Sequence, residues 1–476
     1  MPKQTKRSSL RSERGRIPSA EAARRACVIW GNEYSLGVAN LGHQRVWALA
    51  DDAAGWSADR YYVGTPSRGR GRSWQSGTPL REFDLLLFSF AFEGDYQPTL
   101  EFLRDAGLLN EHEERSGPLL IAGGIAPSLN PLPLAPFFDG IYRGDAEAML
   151  PTLLAELDFS KPRLEQWKLL QRRGLHVGAL GGGETIYHRW SSPAGAYAAS
   201  EVVSPAGHFG ETALVELGRG CPRGCLFCAA RWAAERYRPA EPLALREQIL
   251  ERAAALDVRR IGLVGTAVAE GDDFPALLHW LEQRQLSATA SSLRADLLTV
   301  ETAQLLVRLG QQTLTLSAEA GSETLRRKLG KGLTNAALLK AVEAVALSEA
   351  RVLKLYFMYG LPGETDEDLA EIGRLTGELR RVLEGSPAHL KISASPFVPK
   401  PMTPLVDYPL LSESELRRKR ALLVSVLRKA KIGQLTGESP RQALWQSILA
   451  RGDETLLRRL LAGESKSGLI KEEPRL

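Results

Sequence analysis

The sequence predicts an α/β protein in which a doubly wound parallel sheet precedes a partial (β/α)6 barrel, followed by a C-terminal helical segment. Three observations lead to this prediction. Continuous apolar runs alternate with helical patterns in the first third of the chain, six strand–helix units follow between residues 211 and 400, and residues 411–461 have helical periodicity. Alternation of this kind is typical of parallel sheets whose faces are covered by helices.

The composition is that of an ordinary globular protein. The 476 residues are 44% hydrophobic and 25% charged, which is enough for two or three domains with substantial cores. No apolar stretch reaches the roughly 18 residues that a membrane span requires, and the basic N-terminus is not followed by the apolar core of a secretory signal. With only four cysteines, we expect a cytoplasmic protein with reduced thiols and no membrane association.

The net charge of +5 originates at the N-terminus. Residues 1–16 contain six lysines and arginines against one glutamate, which accounts for the whole excess. We therefore predict a basic, disordered tail over residues 1–26. The balanced remainder gives no general basic field that would favour nucleic acid, although an RNA-contacting tail is not excluded.

The first domain is predicted to span residues 27–155. The apolar runs 83–90 and 119–122 are typical of buried parallel strands, and the second ends in a Gly123-Gly124 turn. The expected fold is a doubly wound, flavodoxin-like sheet with a ligand crevice at the carboxyl ends of its strands. The Gly-, Ser- and Pro-containing residues 156–205 are interpreted as a linker.

The barrel is predicted over residues 206–405. Its six strand–helix units, joined by right-handed crossovers, would give an open half-barrel rather than a closed eight-stranded one. Functional side chains are expected at the carboxyl ends of these strands. Residues 406–476 should form C-terminal helices and, after residue 461, a frayed tail.

Three cysteines dominate the sequence. Cys221, Cys225 and Cys228 have the spacing C-x3-C-x2-C and follow a buried run at 213–217, whereas Cys27 lies almost 200 positions upstream. Three thiols on one loop suit an iron–sulfur cube that keeps one iron open for another ligand. A structural zinc site, which needs four ligands, and inert buried cysteines are the alternatives. Cys27 is interpreted as a buried apolar thiol.

This motif resembles the signature of the radical S-adenosylmethionine (SAM) superfamily. The resemblance implies a [4Fe-4S] cluster on Cys221, Cys225 and Cys228, with the amino and carboxylate groups of S-adenosylmethionine on the open iron. It also implies reductive cleavage to a 5′-deoxyadenosyl radical, with electrons from a cellular reductant such as flavodoxin or ferredoxin. Phe227 matches the aromatic position that packs near the adenine in this superfamily.

Further cofactor contacts are expected at strand ends. Glu319 and Ser322 follow the fourth barrel strand in a stretch that resembles the ribose-contacting motif, and a carboxylate there can accept hydrogen bonds from hydroxyls. Ser322 has the alternative of capping the next helix. Arg294 and Lys331 are candidate partners for the methionine carboxylate.

Two more segments resemble adenosyl-binding elements. Gly265-Thr266-Ala267 stands where the superfamily has a Gly-Gly-Glu turn, so Gly265 would contribute backbone carbonyls but the acidic contact is missing. On the fifth strand, Met358 is expected to pack on the adenine and Gly360 to allow its close approach. Core packing is the alternative for Met358.

The fifth strand also provides candidate substrate contacts. Alternation places Lys354, Tyr356 and Met358 on one face, and the apolar set on the other face suits the surrounding helices. Lys354 and Tyr356 should therefore point into the barrel, where a lysine needs a partner. We predict catalytic or substrate-binding roles for both, with an ion pair between Lys354 and Glu319 as the structural alternative.

The first domain resembles the cobalamin-binding-like domains that precede many barrels of this superfamily. Ser89 and the Gly123-Gly124 turn match two of the family elements, but the Asp-x-His-x-x-Gly motif that supplies the axial histidine is absent, and His43 stands in no such context. Cobalamin binding would then lack a histidine ligand. The alternative is a domain that keeps the fold for docking a substrate or partner.

Three functions are consistent with these features. The first is a radical enzyme that abstracts hydrogen from, or methylates, an unknown substrate. The second is a tRNA or protein methylthiotransferase-like modifier, although the cysteines for a second cluster are absent; residues 397–404 resemble the exit segment of the branch that includes both methylthiotransferases and cobalamin-dependent members. The third is a non-catalytic iron–sulfur protein.

Overall fold

A computed structural model describes residues 12–19, 22–66, 68–109, 117–270, 273–433 and 435–472. Its N-terminal domain contains a parallel five-stranded sheet in the spatial order β3-β2-β4-β5-β6. The first nine strands of the chain are β1 (Arg14–Gly15), β2 (Arg24–Trp30), β3 (Trp56–Tyr62), β4 (Leu85–Ser89), β5 (Leu119–Gly123), β6 (Gly140–Ile141), β7 (Arg143–Gly144), β8 (Tyr187–His188) and β9 (Val202–Val203).

This strand order confirms the predicted doubly wound sheet. Counted along the sheet's own strands it is 2-1-3-4-5, the flavodoxin-like order, and it places a topological switch point between β2 and β4. All four neighbouring pairs are parallel, so the carboxyl ends of the strands share one edge. Cys27 lies at the centre of β2 with no exposed surface, which confirms the prediction of a buried thiol.

The predicted disorder of residues 1–26 is wrong for the described part of that segment. Arg14 and Gly15 pair with Val203 and Val202 in an antiparallel ladder. Arg16 forms ion pairs with acidic groups from two other segments, including Asp52 at 2.8 Å. The basic residues here neutralise carboxylates of the domain. The strand β2 already begins at Arg24, within the segment predicted to be disordered. Residues 1–11 lie outside the described part.

Residues 156–205, which we interpreted as a linker, contribute instead to the N-terminal core. Leu170, Leu175 and Val177 have no exposed surface and pack in the same cluster as β2 and β4. The described residues of the domain also form six α-helices: α1 (Tyr34–Gly37), α2 (Leu41–Asp51), α3 (Tyr96–Asp105), α4 (Ile125–Leu129), α5 (Leu150–Glu156) and α6 (Arg163–Arg172).

The second domain confirms the partial barrel. Its strands form two parallel sheets, β10-β13-β14 and β15-β16-β17-β18. A bridge between Leu293 and Leu316 joins them, with the Leu293 amide donating to the Thr315 carbonyl at 2.8 Å. The strands are β10 (Thr212–Glu216), β11 (Gly218–Arg219), β12 (Arg238–Pro239), β13 (Arg260–Val264), β14 (Ser287–Ala290), β15 (Thr313–Glu319), β16 (Val352–Tyr359), β17 (His389–Pro396) and β18 (Leu435–Thr436).

Helices cover the outer face of these strands. One face of each barrel strand packs against them in a single large core that includes Leu355, Val342 and Ile372. Strong caps position the helices: Thr365 accepts a hydrogen bond from Asp368 in a capping box. The helices are α7 (Ala229–Ala234), α8 (Pro242–Ala255), α9 (Asp273–Gln283), α10 (Val300–Arg308), α11 (Glu323–Lys328), α12 (Asn335–Ala346) and α13 (Asp366–Val382).

The C-terminal helices close the molecule against the first domain. They are α14 (Glu413–Lys429), α15 (Pro440–Arg451), α16 (Leu456–Leu461) and α17 (Lys466–Glu472). Asn130 of the first domain donates to the carbonyls of Ala450 and Gly452. Leu469 of α17 is buried in the first domain's core, so the predicted fraying after residue 461 is wrong up to residue 472. No helix within the described ranges has the length and apolarity of a membrane span.

Candidate active site

The cysteine loop crosses the carboxyl end of the barrel. It follows β10, and Cys228 directly precedes α7. The Leu226 amide donates to the Leu329 carbonyl at 2.9 Å, which ties the loop to the segment after α11. At this contact Gly330 has φ +72°, and a Cβ there would lie 2.4 Å from the Gly224 carbonyl oxygen. Gly330 is thus required for the close approach of the two segments, a role that sequence reasoning missed.

The three thiols are close enough to influence one another electrostatically. Burial raises the pKa of Cys225 and of Cys228, and the neighbouring Cys221 raises the pKa of Cys228 further. Within the described residues, no three His, Cys, Asp or Glu side chains form a group that could hold a metal ion. Three thiols on one loop are, however, the donor set that binds three separate irons of a cluster, so the residues fit an iron–sulfur group by their chemistry.

A buried ion pair lies next to the thiols. Lys331 Nζ is 2.9 Å from Glu319 Oε1, and their side chains are only 8% and 15% exposed. Arg294 donates to the Lys331 carbonyl at 3.2 Å and forms a bidentate pair with Asp296. Lys331 and Arg294 both act to lower the pKa of Cys225. The structure therefore brings Glu319, Lys331 and Arg294, three of the sequence candidates, to the cysteine loop.

The backbone of Glu319 is unusual. Its φ is +71°, a conformation that L-residues other than Gly, Asn and Asp rarely adopt, and it follows an irregularity in the pairing of β15 with β16. Strain of this kind is concentrated at functional sites, where the surrounding structure maintains it. The irregularity turns the Glu319 side chain toward Lys331 at the strand's carboxyl end.

Phe227 and Met358 meet in one small apolar cluster. Both are partly buried and pack against residues that follow three barrel strands and against residues of the α11 segment: Ala320, Leu361 and Phe397, and Leu325 and Leu329. The cysteine loop and β16 therefore contribute to the same apolar surface.

Two other candidates have structural roles. The Ser322 hydroxyl accepts from the Leu325 amide and donates to Asp368, so Ser322 caps α11 as in the alternative interpretation. Gly360 has φ +75°, and a Cβ there would lie 2.8 Å from Leu416 of α14. Its tight contact within the protein is with the C-terminal helix, which gives this glycine a packing role; close approach of a ligand ring at Gly360 stays a prediction.

Alternation along β16 is as predicted. Leu355, Phe357 and Tyr359 are buried, whereas Lys354, Tyr356 and Met358 are half-exposed on the opposite face. The Lys354 ammonium lies 4.8 Å from the centre of the Tyr356 ring, a cation–π contact. Because Glu319 pairs with Lys331, the alternative ion pair between Lys354 and Glu319 is wrong.

A cavity of about 620 Å³ lies between the two domains. Its walls come from the carboxyl ends of both sheets, including Ser89, Gly123 and Gly265, and from α7 immediately after the cysteines. The other cofactor candidates do not line it. His43 also does not: it is fully buried beside Trp30, and burial lowers its pKa to about 3. The lining residues thus include no histidine.

An ion-pair network crosses the same cavity. Arg219 of the barrel forms paired hydrogen bonds with Glu147 of the first domain, both at 2.9 Å, and contacts Asp145 at 3.2 Å. Glu216 is a third partner, and Arg45 adds a contact to Glu147. These charges fix the domains relative to each other. No sequence motif had indicated them, because the partners come from segments 72 residues apart.

The buried carboxyl of Glu364 should make stability depend on pH. Burial raises its pKa to about 7, although the Gly360 amide and the Lys419 ammonium, 3.2 Å away, oppose the shift. Since the folded state holds this proton more tightly than the unfolded state, the stabilisation is present below pH 4.5 and is lost as the pH rises through 7.

We expect the difference in unfolding free energy between wild type and E364Q to fall by about 3 kcal/mol from pH 4.5 to pH 8. Urea titrations of both proteins between pH 4.5 and pH 8 measure this difference. The E364Q variant serves as the reference because its amide has no proton to lose in this range. Parallel curves for the two proteins would contradict the assignment of the slope to Glu364.

Two family models match the chain. The model of the radical SAM superfamily matches residues 215–376, and that of the N-terminal domain of radical SAM proteins matches residues 42–175. An uncharacterized protein of Methanocaldococcus jannaschii is 29% identical over 402 residues, covering 82% of this chain and 83% of that protein. A threonylcarbamoyladenosine tRNA methylthiotransferase (MtaB) of Treponema pallidum is 27% identical over 183 residues, 36% of this chain and 37% of that protein.

Two solved structures have the same fold. TsrM, a radical S-adenosylmethionine methyltransferase from Kitasatospora setae, superposes with a TM-score of 0.60 at 14% identity over 95% of this chain and 99% of its own. The cobalamin-dependent enzyme OxsB superposes with a TM-score of 0.53 at 15% identity over 74% of this chain and 52% of its own. The chain is therefore an enzyme of the radical S-adenosylmethionine superfamily, with the two-domain fold found in TsrM and OxsB.

Proposed function

We propose that the protein binds a [4Fe-4S] cluster through Cys221, Cys225 and Cys228 and cleaves S-adenosylmethionine reductively to modify an unknown substrate. Of the two reactions considered, methylation is favoured over hydrogen abstraction alone. The observation that carries this proposal is the convergence of the three thiols with the Glu319–Lys331 pair at one end of the half-barrel. When bound, the cluster and S-adenosylmethionine would supply a 5′-deoxyadenosyl radical, with electrons from a flavodoxin- or ferredoxin-type reductant.

The chain's own residues would hold and orient the nucleoside and amino acid parts of S-adenosylmethionine. Phe227 and Met358 would present the apolar surface for the adenine. Glu319 would accept from the ribose hydroxyls and Arg294 would attract the methionine carboxylate. Lys331, which is buried against Glu319, would hold the Glu319 side chain in place.

The cavity between the domains favours cobalamin as a further cofactor. It lies at the carboxyl ends of a flavodoxin-like sheet and opens toward the helix that follows the cysteines, and TsrM has been solved with both cobalamin and a [4Fe-4S] cluster bound. Since no histidine lines the cavity, the corrin would be held without an imidazole ligand from this chain. Methylation is therefore favoured over hydrogen abstraction alone.

A methylthiotransferase function rests on a weaker observation. The similarity to the Treponema pallidum enzyme spans 36% of the chain, and the one cysteine outside the motif, Cys27, is fully buried in the first domain. A second cluster would therefore have no thiol ligands.

The test is anaerobic reconstitution of the full chain with iron and sulfide, followed by reduction in the presence of S-adenosylmethionine. We expect four irons per chain, formation of 5′-deoxyadenosine or of a methylated product, and a change in the absorption of added cobalamin. A fully loaded protein that leaves S-adenosylmethionine intact would favour a non-catalytic iron–sulfur protein.

The variant G123L separates the two cofactors. Gly123 lines the cavity, its backbone needs no positive φ, and the nearest atom to an added Cβ is 3.7 Å away, so a side chain there would fill the cavity without disturbing the strand. We expect at least about tenfold weaker cobalamin binding with the cluster content unchanged. Unchanged cobalamin affinity would place that cofactor elsewhere.

A further inference from the structure

Two lysines lie side by side on adjacent strands of the half-barrel, Lys354 half-exposed and Lys391 exposed. Lys354 of β16 is directly aligned with Lys391 of β17 in the parallel ladder. Both belong to the strand face that points away from the helices, because their neighbours Leu355 and Ile392 pack in the outer core. Like charges at aligned positions of adjacent strands destabilise a sheet.

No carboxylate compensates this pair within the part of the chain that the structure describes. The Lys354 ammonium contacts only the Tyr356 ring, and the carboxylate at the end of β15, Glu319, is already paired with Lys331. The aligned interior positions of the neighbouring strands carry hydroxyls instead: Thr315 beside Lys354, and Ser317 and Ser393 on either side of Tyr356. Lys354, Tyr356 and these neighbours remain half-exposed, except for Ser393, which is buried.

We propose that this part of the barrel interior binds an anionic oxygen group, a carboxylate or a phosphate, at the far end of the substrate. Two ammonium groups flanked by hydroxyl donors are complementary to such a group and to no other common functional class. The inference rests on the proposed function, since it concerns the substrate of that site.

The position along the strand sets the shape of the substrate. Lys354 lies four residues before Met358, where the proposed function puts the adenine, and this corresponds to about 13 Å along β16. The substrate should therefore be elongated and extend from the adenosyl end of the site toward an anionic group about 13 Å from Met358.

Binding of simple anions to the full chain, without cluster or S-adenosylmethionine, tests this inference. Line broadening in ³¹P NMR measures binding of inorganic phosphate, and saturation transfer to succinate measures binding of a carboxylate. We expect binding of at least one anion by the wild type and at least about tenfold weaker binding by the K354M/K391M variant. The K354R/K391R variant keeps both charges and should retain binding.

The matched control is K161M/K168M, which removes two exposed lysines of the first domain, with side chains 62% and 47% exposed. It should bind both anions as the wild type does. Phosphate alone would indicate a phosphorylated substrate, and succinate alone a carboxylic acid. Equal binding by wild type and K354M/K391M, or no binding of either anion, would overturn the proposal. Cleavage of S-adenosylmethionine is not part of this assay, so its failure would leave the proposed function intact.

Discussion

Replacement of any one of Cys221, Cys225 and Cys228 by alanine is expected to abolish the iron–sulfur cluster and, with it, cleavage of S-adenosylmethionine. In the proposed site each thiol would be the only protein ligand for its iron, and among the described residues the loop has no further sulfur, imidazole or carboxylate placed to replace it. Loss of groups that merely orient a metal ligand already costs about 10–100-fold in metal affinity or activity, so loss of the ligand itself should cost more. Iron and sulfide content after anaerobic reconstitution measures this effect directly.

Cys27 provides the matched control, because it is the same residue type in the same chain. It is fully buried at the centre of β2, in the core of the first domain. The C27A variant should retain four irons per chain and lose only some stability. If a variant lacking Cys221, Cys225 or Cys228 still assembled a cluster with full iron content, the assignment would be overturned. Loss of the cluster in C27A would overturn it as well.

The features that the sequence predicted are those with a local signal. Alternation of polar and apolar residues identified which face of β16 meets the helices, and burial in the structure follows that alternation residue by residue. The cysteine spacing marked the loop at the carboxyl end of β10, and the rule that barrel sites lie at strand ends selected Glu319 and Arg294. The doubly wound class of the first sheet was predicted from the alternation of buried apolar runs with helical segments, whereas its strand order is known only from the structure.

The features that the sequence did not predict depend on pairing between distant segments. Arg14 and Gly15 form a strand only because Val202 and Val203 offer an open edge, and a two-residue strand leaves no periodicity. The ion pair between Glu319 and Lys331 was not predicted, because the backbone conformation of Glu319, with φ +71°, leaves no mark in the sequence. Similarly, the packing of Gly360 against Leu416 of α14 could not be predicted, because the two residues are 56 positions apart.

Replacement of Arg219 by methionine is expected to lower the free energy of unfolding by about 3–5 kcal/mol, because it would leave buried carboxylates without their partner. Arg219 is 14% exposed, and Glu147, which receives both of its paired hydrogen bonds, is 5% exposed. Burial pushes the pKa of Glu147 upward, but the hydrogen bonds and charge of Arg219 outweigh it and hold the pKa below its usual range. This stabilisation is present above the ordinary pKa of a glutamate and is lost as the pH falls through the lowered one.

The R374M variant is the matched control, since Arg374 also pairs with two glutamates but is half-exposed on α13. Exposed pairs contribute about 0–1 kcal/mol, so R374M should be nearly neutral in urea titrations at pH 7. The R219K variant should fall between the two, because lysine keeps the charge but cannot form the paired hydrogen bonds to Glu147. If Arg219 fixes the two walls of the cavity, R219M should also weaken cobalamin binding while R374M does not. Equal losses of stability in R219M and R374M would show that the network contributes no more than a surface ion pair.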